Sequence, residues 1–155
     1  MMELDDRVNH PKHYEKGRVE CIELLEALTR GYTGIIAMEI GQLKYLYRVG
    51  SKNENGMSIK EKSIQDVNKV KWYFEDMKKH IADIDGPICS KLEDNKFEKM
   101  FIIQEFTFDK PDFMKEYISS VINLAYNIKN EMDINTIVTM LSQLTMVMEE
   151  KLQWS

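Results

Sequence analysis

The stretch from Ser58 to Ile81 constrains this chain more than any other, because Ile64, Val67, Val70, Phe74, Met77 and Ile81 recur there at spacings of three and four. That spacing follows the 3.6-residue turn of an α-helix, so it predicts one long amphipathic helix with an apolar stripe to bury. Its start is also marked. Ser58 followed by Glu61 has the spacing of a capping box, in which side chains satisfy amides that the first helical turn leaves without partners.

The same reading extends in both directions. Residues 5–17 mix turn formers with aromatic and basic side chains, and Pro11 biases His10 toward extended backbone, which predicts an ordered arm. Val19, Ile22, Leu25 and Leu28 suggest a first short helix over Val19 to Thr29, and Gly31 and Gly34 break the pattern after it. A second helix is expected from about Ile35 to Val49, with Ile36, Ile40, Leu43 and Tyr47 on one side, closed by Gly50 and a polar loop. Residues 83–95 read as a linker. Phe97 to Phe108 is apolar enough for a buried helix or a short strand, between which periodicity does not decide. Asp109-Lys-Pro111 opens a helix to about Asn130, and Asp133 is expected to cap a last one carrying Ile134, Ile137, Val138, Leu141, Leu144 and Val147. The expected fold is mainly α: an arm and a three-helix unit over residues 1–82, a linker over 83–95, and a helical region with room for a short strand over 96–155.

Composition sets the classes to exclude. With 43% hydrophobic and 30% charged residues among 155, the chain can bury one core or two small ones. A formal charge of −5 argues against a general nucleic-acid coat protein, whose phosphate contacts need an excess of Lys and Arg. The charge is uneven, however. Residues 1–82 hold 14 Lys/Arg against 13 Asp/Glu, and residues 83–155 hold 7 against 13, so a compact anion suits the first half better. Cys21 and Cys89 stand far apart with no ligand spacing around them, which predicts neither a zinc site nor a disulfide framework. The start of the chain lacks an apolar leader and no apolar run reaches the roughly 18 residues of a membrane span, so a cytoplasmic protein is expected.

Three groups of residues invite chemistry. His10, His13 and Tyr14 place two imidazoles and a phenol beside Lys12, a set able to exchange protons or bind phosphate, and equally able to pack the arm down. Lys44 and Arg48 are four apart and project from one helix face, where they can hold a phosphate with Lys52 of the following loop; the plainer reading is a solvated face. On the long helix, Asp66 and Lys69 have the spacing of a surface salt bridge, and Trp72 reads as a core or interface anchor before it reads as a stacking platform for a base. Glu20, Glu23 and Glu26, spaced by three, read as a solvated face rather than a metal site. No Gly-x-x-x-x-Gly-Lys-Ser/Thr loop, Gly-x-Ser-x-Gly or His-Glu-x-x-His occurs, so phosphoryl chemistry would need a site built from side chains.

Taken in order, Val8-Asn-His-Pro-Lys-His-Tyr14, Val19-Glu-Cys-Ile22, Lys44-Tyr-Leu-Tyr-Arg48 and Gln65-Asp-Val-Asn-Lys-Val-Lys-Trp-Tyr73 resemble the SaV-like family of tailed phages. That family includes a small nucleotide kinase without a Walker loop, which phosphorylates deoxynucleoside monophosphates. The resemblance covers about residues 5–82. It implies catalytic roles for His10, His13 and Arg48, and nucleotide-binding roles for Tyr14, Lys44, Lys52, Asp66, Lys69 and Trp72, with ATP or another nucleotide as cosubstrate. The family's Gly-Asn before the Lys-Tyr block is Ile40-Gly41 or Gly41-Gln42 here, and its Trp before the Arg is Tyr47.

Two functions of different kinds are expected. The first is a nucleotide-handling phage protein of the host cytoplasm, phosphorylating nucleoside monophosphates. The second is a non-enzymatic effector that blocks a host defence protein or sequesters a nucleotide signal, suggested by the acidic half, since an anionic surface can occupy a basic groove. Either fits a closed homo-oligomer. Neither requires a membrane.

Overall fold

The computed structural model describes residues 19–50, 56–84, 88–89 and 95–151. Among them the chain is mainly helical, and no strand occurs; the sole β feature is an isolated bridge between Tyr32 and Cys89. The arm of residues 5–17, with His10, His13 and Tyr14, lies outside the described residues, as does Lys52.

Helix α1 spans Cys21–Thr29 and buries Cys21, Leu24 and Leu28, while Ile22 is exposed. The expected stripe is therefore corrected at Ile22 alone, since Leu25 packs partly buried against the core and Leu28 is fully buried. Steps of three turn a helix by only 300°, so a strict every-third series slides off the face that a three-then-four series keeps. Next come α2, Gly34–Ile40, a 3₁₀ turn over Gly41–Leu43, and α3, Lys44–Tyr47. The single helix expected here is thus pinched in the middle, yet Ile36, Ile40, Leu43 and Tyr47 all point inward. Gly50 ends the segment in the left-handed region at φ 87°, which glycine adopts without a Cβ penalty.

Helix α4 runs over Ile59–Ala82. Ser58 Oγ accepts from the Glu61 amide at 3.1 Å, and the Glu61 carboxylate turns back onto the Ser58 hydroxyl at 3.3 Å. Helix α5, Lys96–Thr107, resolves the helix-or-strand question. It is not a buried helix: Ile102, Glu105, Phe106 and Thr107 face inward, while Phe97 is 87% exposed. Helix α6, Asp112–Tyr126, stops short of Asn130 because the Ile128 amide leaves the helical path to donate to the Tyr32 hydroxyl at 2.7 Å. Helix α7, Glu131–Glu150, is capped by Asn130 rather than Asp133. Asp133 sits three residues inside, where its carboxylate accepts from the Asn130 amide at 3.2 Å, completing a capping box.

Helix α4 packs along α7, α6 packs against α7 and α5, and α2 and α3 lie on α4. One hydrophobic cluster joins Leu24, Ile36, Tyr47, Val70 and Phe74 to Phe106, Ile122, Ile137 and Leu144, so the stretches on either side of residues 83–95 share a core. Polar ties run across it. Arg30 forks onto Glu98 at 2.7 and 3.0 Å, and the Tyr126 hydroxyl donates to the same carboxylate. No helix among the described residues is long and apolar enough to cross a membrane.

Candidate anion-binding site

Where α3 meets α4, four basic side chains converge on one acid and one ring. Asp66 is central. Lys62, Asp66 and Lys69 stand at i, i+4 and i+7 along α4, which places them in one row on the face turned toward α3. From α3, Arg48 donates through Nε to Asp66 Oδ2 at 3.3 Å and through Nη2 to Oδ1 at 3.1 Å. Lys62 Nζ lies 3.4 Å from the same Oδ1 and Lys69 Nζ 3.8 Å from it. The Tyr45 ring is flanked by Lys44 Nζ at 5.2 Å, the Arg48 guanidinium at 4.8 Å and Lys69 Nζ at 5.0 Å. Cations at these distances are held by the negative face of the ring.

Burial is graded across the cluster. The Lys62 and Asp66 side chains are 1% and 2% exposed, Arg48 is nearly as deep, and Lys69 is 38% exposed at the rim. A buried carboxylate needs cationic partners, because desolvating an unpaired charge costs several kcal/mol. Three cations share this one carboxylate, and Lys69 feels the other two: its ammonium is held below the ordinary lysine range by partial desolvation and by repulsion from Lys62 and Arg48, which Asp66 opposes. An anion arriving at Lys69 and Lys44 would relieve that repulsion.

The scaffold behind the site is fixed by hydrogen bonds. Lys110, at the turn between α5 and α6, buries its ammonium and donates to the carbonyls of Tyr47 at 2.8 Å and Val49 at 2.7 Å. These carbonyls end α3, and a cation there also suits the negative end of the helix dipole. Ser63 Oγ accepts from the Gly50 amide at 3.0 Å, tying the same turn to α4. Arg48 is therefore presented from a clamped backbone.

Of the residues expected from sequence, Lys44, Arg48, Asp66 and Lys69 come together. The solvated-face reading of Arg48 is overturned by its burial; the expected salt bridge of Asp66 with Lys69 is present at 3.8 Å, but its carboxylate is buried rather than at the surface. Trp72 is 59% exposed, with its ring edge-on to Tyr73 at 5.1 Å, so it anchors no core. Sequence reasoning missed Lys62, Tyr45 and Lys110. The spacing of Lys62 to Asp66 was a usable signal, but a lysine in the first turns of a helix ordinarily faces water.

Residues 8–75, which contain this cluster, match the model of a family described as a protein of unknown function (DUF3310). No curated protein and no solved structure matches the chain.

Proposed function

We propose that the Lys44, Tyr45, Arg48, Lys62, Asp66 and Lys69 cluster binds the phosphate of a nucleotide, and that the protein is a nucleotide-handling protein of phage origin acting on nucleoside monophosphates. The convergence of Arg48, Lys62 and Lys69 on a single buried carboxylate carries this reading. Arg48 and Lys62 form the fixed floor, held by Asp66, and Lys69 and Lys44 meet the phosphate at the rim. Trp72 stands three residues beyond Lys69, hence beside it on the surface of α4, and gives a base an exposed ring to stack on.

In the kinase-like form of the proposal, which rests on the resemblance to the SaV-like family, these cations stabilise charge that builds on the transferring phosphoryl group. With no Walker loop, rate enhancement comes from positioning and preorganised charge. Asp66 is a positioning residue in this scheme, because its buried carboxylate holds Arg48, Lys62 and Lys69 in place. His10 and His13 carry the proton-transfer expectation and lie outside the described residues.

The test is a thermal-shift screen against nucleoside mono-, di- and triphosphates and cyclic nucleotides, followed by a phosphoryl-transfer assay on any monophosphate that shifts the midpoint. A native-state ligand raises the midpoint by mass action whatever reaction it undergoes. A shift that Lys69→Gln abolishes supports the site; no shift with any nucleotide refutes it.

A second reading, a non-enzymatic effector that occupies a host protein, is favoured by Phe97 and Met100, exposed one turn apart on α5. Specific recovery of one host protein by the wild type, lost in Phe97→Ser, would support it.

A further inference from the structure

Away from the anion site, α2 and α4 bring together a second polar group. Glu39, the penultimate residue of α2, is buried against α4, where Asp76 and His80 are four apart and present to it from one face. His80 Nε2 lies 3.5 Å from Glu39 Oε1 and 3.2 Å from Asp76 Oδ2, and one ligand atom from each residue falls within 4.8 Å of the other two. Glu39 is 1% exposed, and its Oε2 is buried with no hydrogen-bond partner. A buried carboxyl oxygen left so costs a few kcal/mol, which a chain tolerates where a ligand restores the loss.

We propose that Glu39, Asp76 and His80 form a binding site for a divalent transition-metal ion of the zinc or manganese class. Around a tetrahedral ion with ligands at about 2.1 Å, neighbouring ligand atoms stand roughly 3.4 Å apart. The two His80 separations, 3.2 and 3.5 Å, are already those edges. One imidazole nitrogen with two carboxylate oxygens suits zinc or manganese, whereas magnesium prefers oxygen ligands and keeps most of its water. Asp76 and His80 are partly exposed, which opens a path for the ion, and three protein ligands leave at least one position for water or a substrate oxygen. The site lies ten residues along α4 from Asp66, on the order of 15 Å, so it stands or falls independently of the nucleotide site.

The test is calorimetric titration of the chelator-stripped full chain with zinc, manganese and magnesium chlorides, on the wild type and on a variant carrying both Asp76→Asn and His80→Ala. Expected are one-to-one binding of zinc or manganese, magnesium at least tenfold weaker, and a loss of at least tenfold in the double variant. Cobalt as a probe should give a visible absorption band that His80→Ala removes. No binding by the wild type overturns the proposal. So does zinc binding unchanged in the double variant, since the ion would then sit on other groups such as His10 and His13. If the double variant loses its helical circular-dichroism signal, Asp76→Asn alone decides the same question.

Discussion

At the scale of single residues, the two polar clusters differ in what their charges do. Asp66 pairs with Arg48, Lys62 and Lys69, so replacing its carboxylate leaves Arg48 and Lys62 buried around an amide. Asp66→Asn is expected to cost about 3 kcal/mol or more, read as a fall in the urea midpoint, because breaking a buried pair strands its partner. Lys69→Gln, at the rim, should change stability by less than about 1 kcal/mol while abolishing the nucleotide-induced shift. Arg48→Ala combines both effects and is the poorer probe, which its i,i+4 spacing from Lys44 gave no means of foreseeing. Glu39 behaves in the opposite way. Burial, reinforced by the adjacent Asp76 carboxylate, pushes its carboxyl up to about 8 from an ordinary 4.5, and the titratable groups it faces are Asp76 and His80. Between those values the unfolded chain has released a proton that the folded chain keeps, so rising pH draws the equilibrium toward unfolding. In chelator, stability should decline from about pH 5 to pH 8, and Glu39→Gln should flatten the decline. A wild-type urea midpoint that holds level or rises across that range would contradict the shift.

At the scale of elements, helix existence was written in the sequence and helix faces less fully. The three-and-four series on α4 predicted both, since Val67, Val70, Phe74 and Met77 are all buried. On α1 an every-third series misplaced Ile22. The pinch between α2 and α3 carries no breaker residue inside the helical pattern other than Gly41, so periodicity alone read straight through it. Caps were legible where side chain and amide are local: Ser58 was foreseen, whereas Asn130 was passed over for Asp133 because either suits the first turn. Ser58→Ala and Asn130→Ala should each cost about 1 kcal/mol in chemical unfolding, with Asn130→Asp close to neutral. Lys110 was not legible at all, because its partners are carbonyls some sixty residues earlier in the chain. Replacing it with methionine keeps the stem but leaves the Tyr47 and Val49 carbonyls without that donor. The expected loss is about 2 to 4 kcal/mol, with weakened nucleotide binding because the turn that presents Arg48 loosens.

For the whole molecule, the sequence suggested a break at residues 83–95, where a composition shift and Gly86-Pro87 interrupt the helical pattern. The match to a known family likewise ends at residue 75, inside α4. Packing follows a different line. The stripe of α4 lies along α7, and Val67, Val70, Phe74 and Met77 belong to one cluster with Ile134, Ile137, Leu141, Leu144 and Met148. A periodic stripe states that a helix must be covered, but not by which distant segment, so this partnership was invisible in the sequence. It has a consequence for the anion site, whose Lys62, Asp66 and Lys69 ride on the same helix. Each of the four α4 side chains gains roughly 2 kcal/mol from burial, together on the order of 8 kcal/mol, which equals the entire net stability of an ordinary domain. A fragment of residues 1–84 is therefore expected to lack a cooperative unfolding transition and to bind a hydrophobic dye, even though it contains every residue of the anion site. Supplying residues 95–155 in trans should restore helical circular dichroism and, with it, the nucleotide-induced shift. Cooperative unfolding of the fragment alone would mean that α1 to α4 cover their own apolar faces, and that α7 adds to a core already closed.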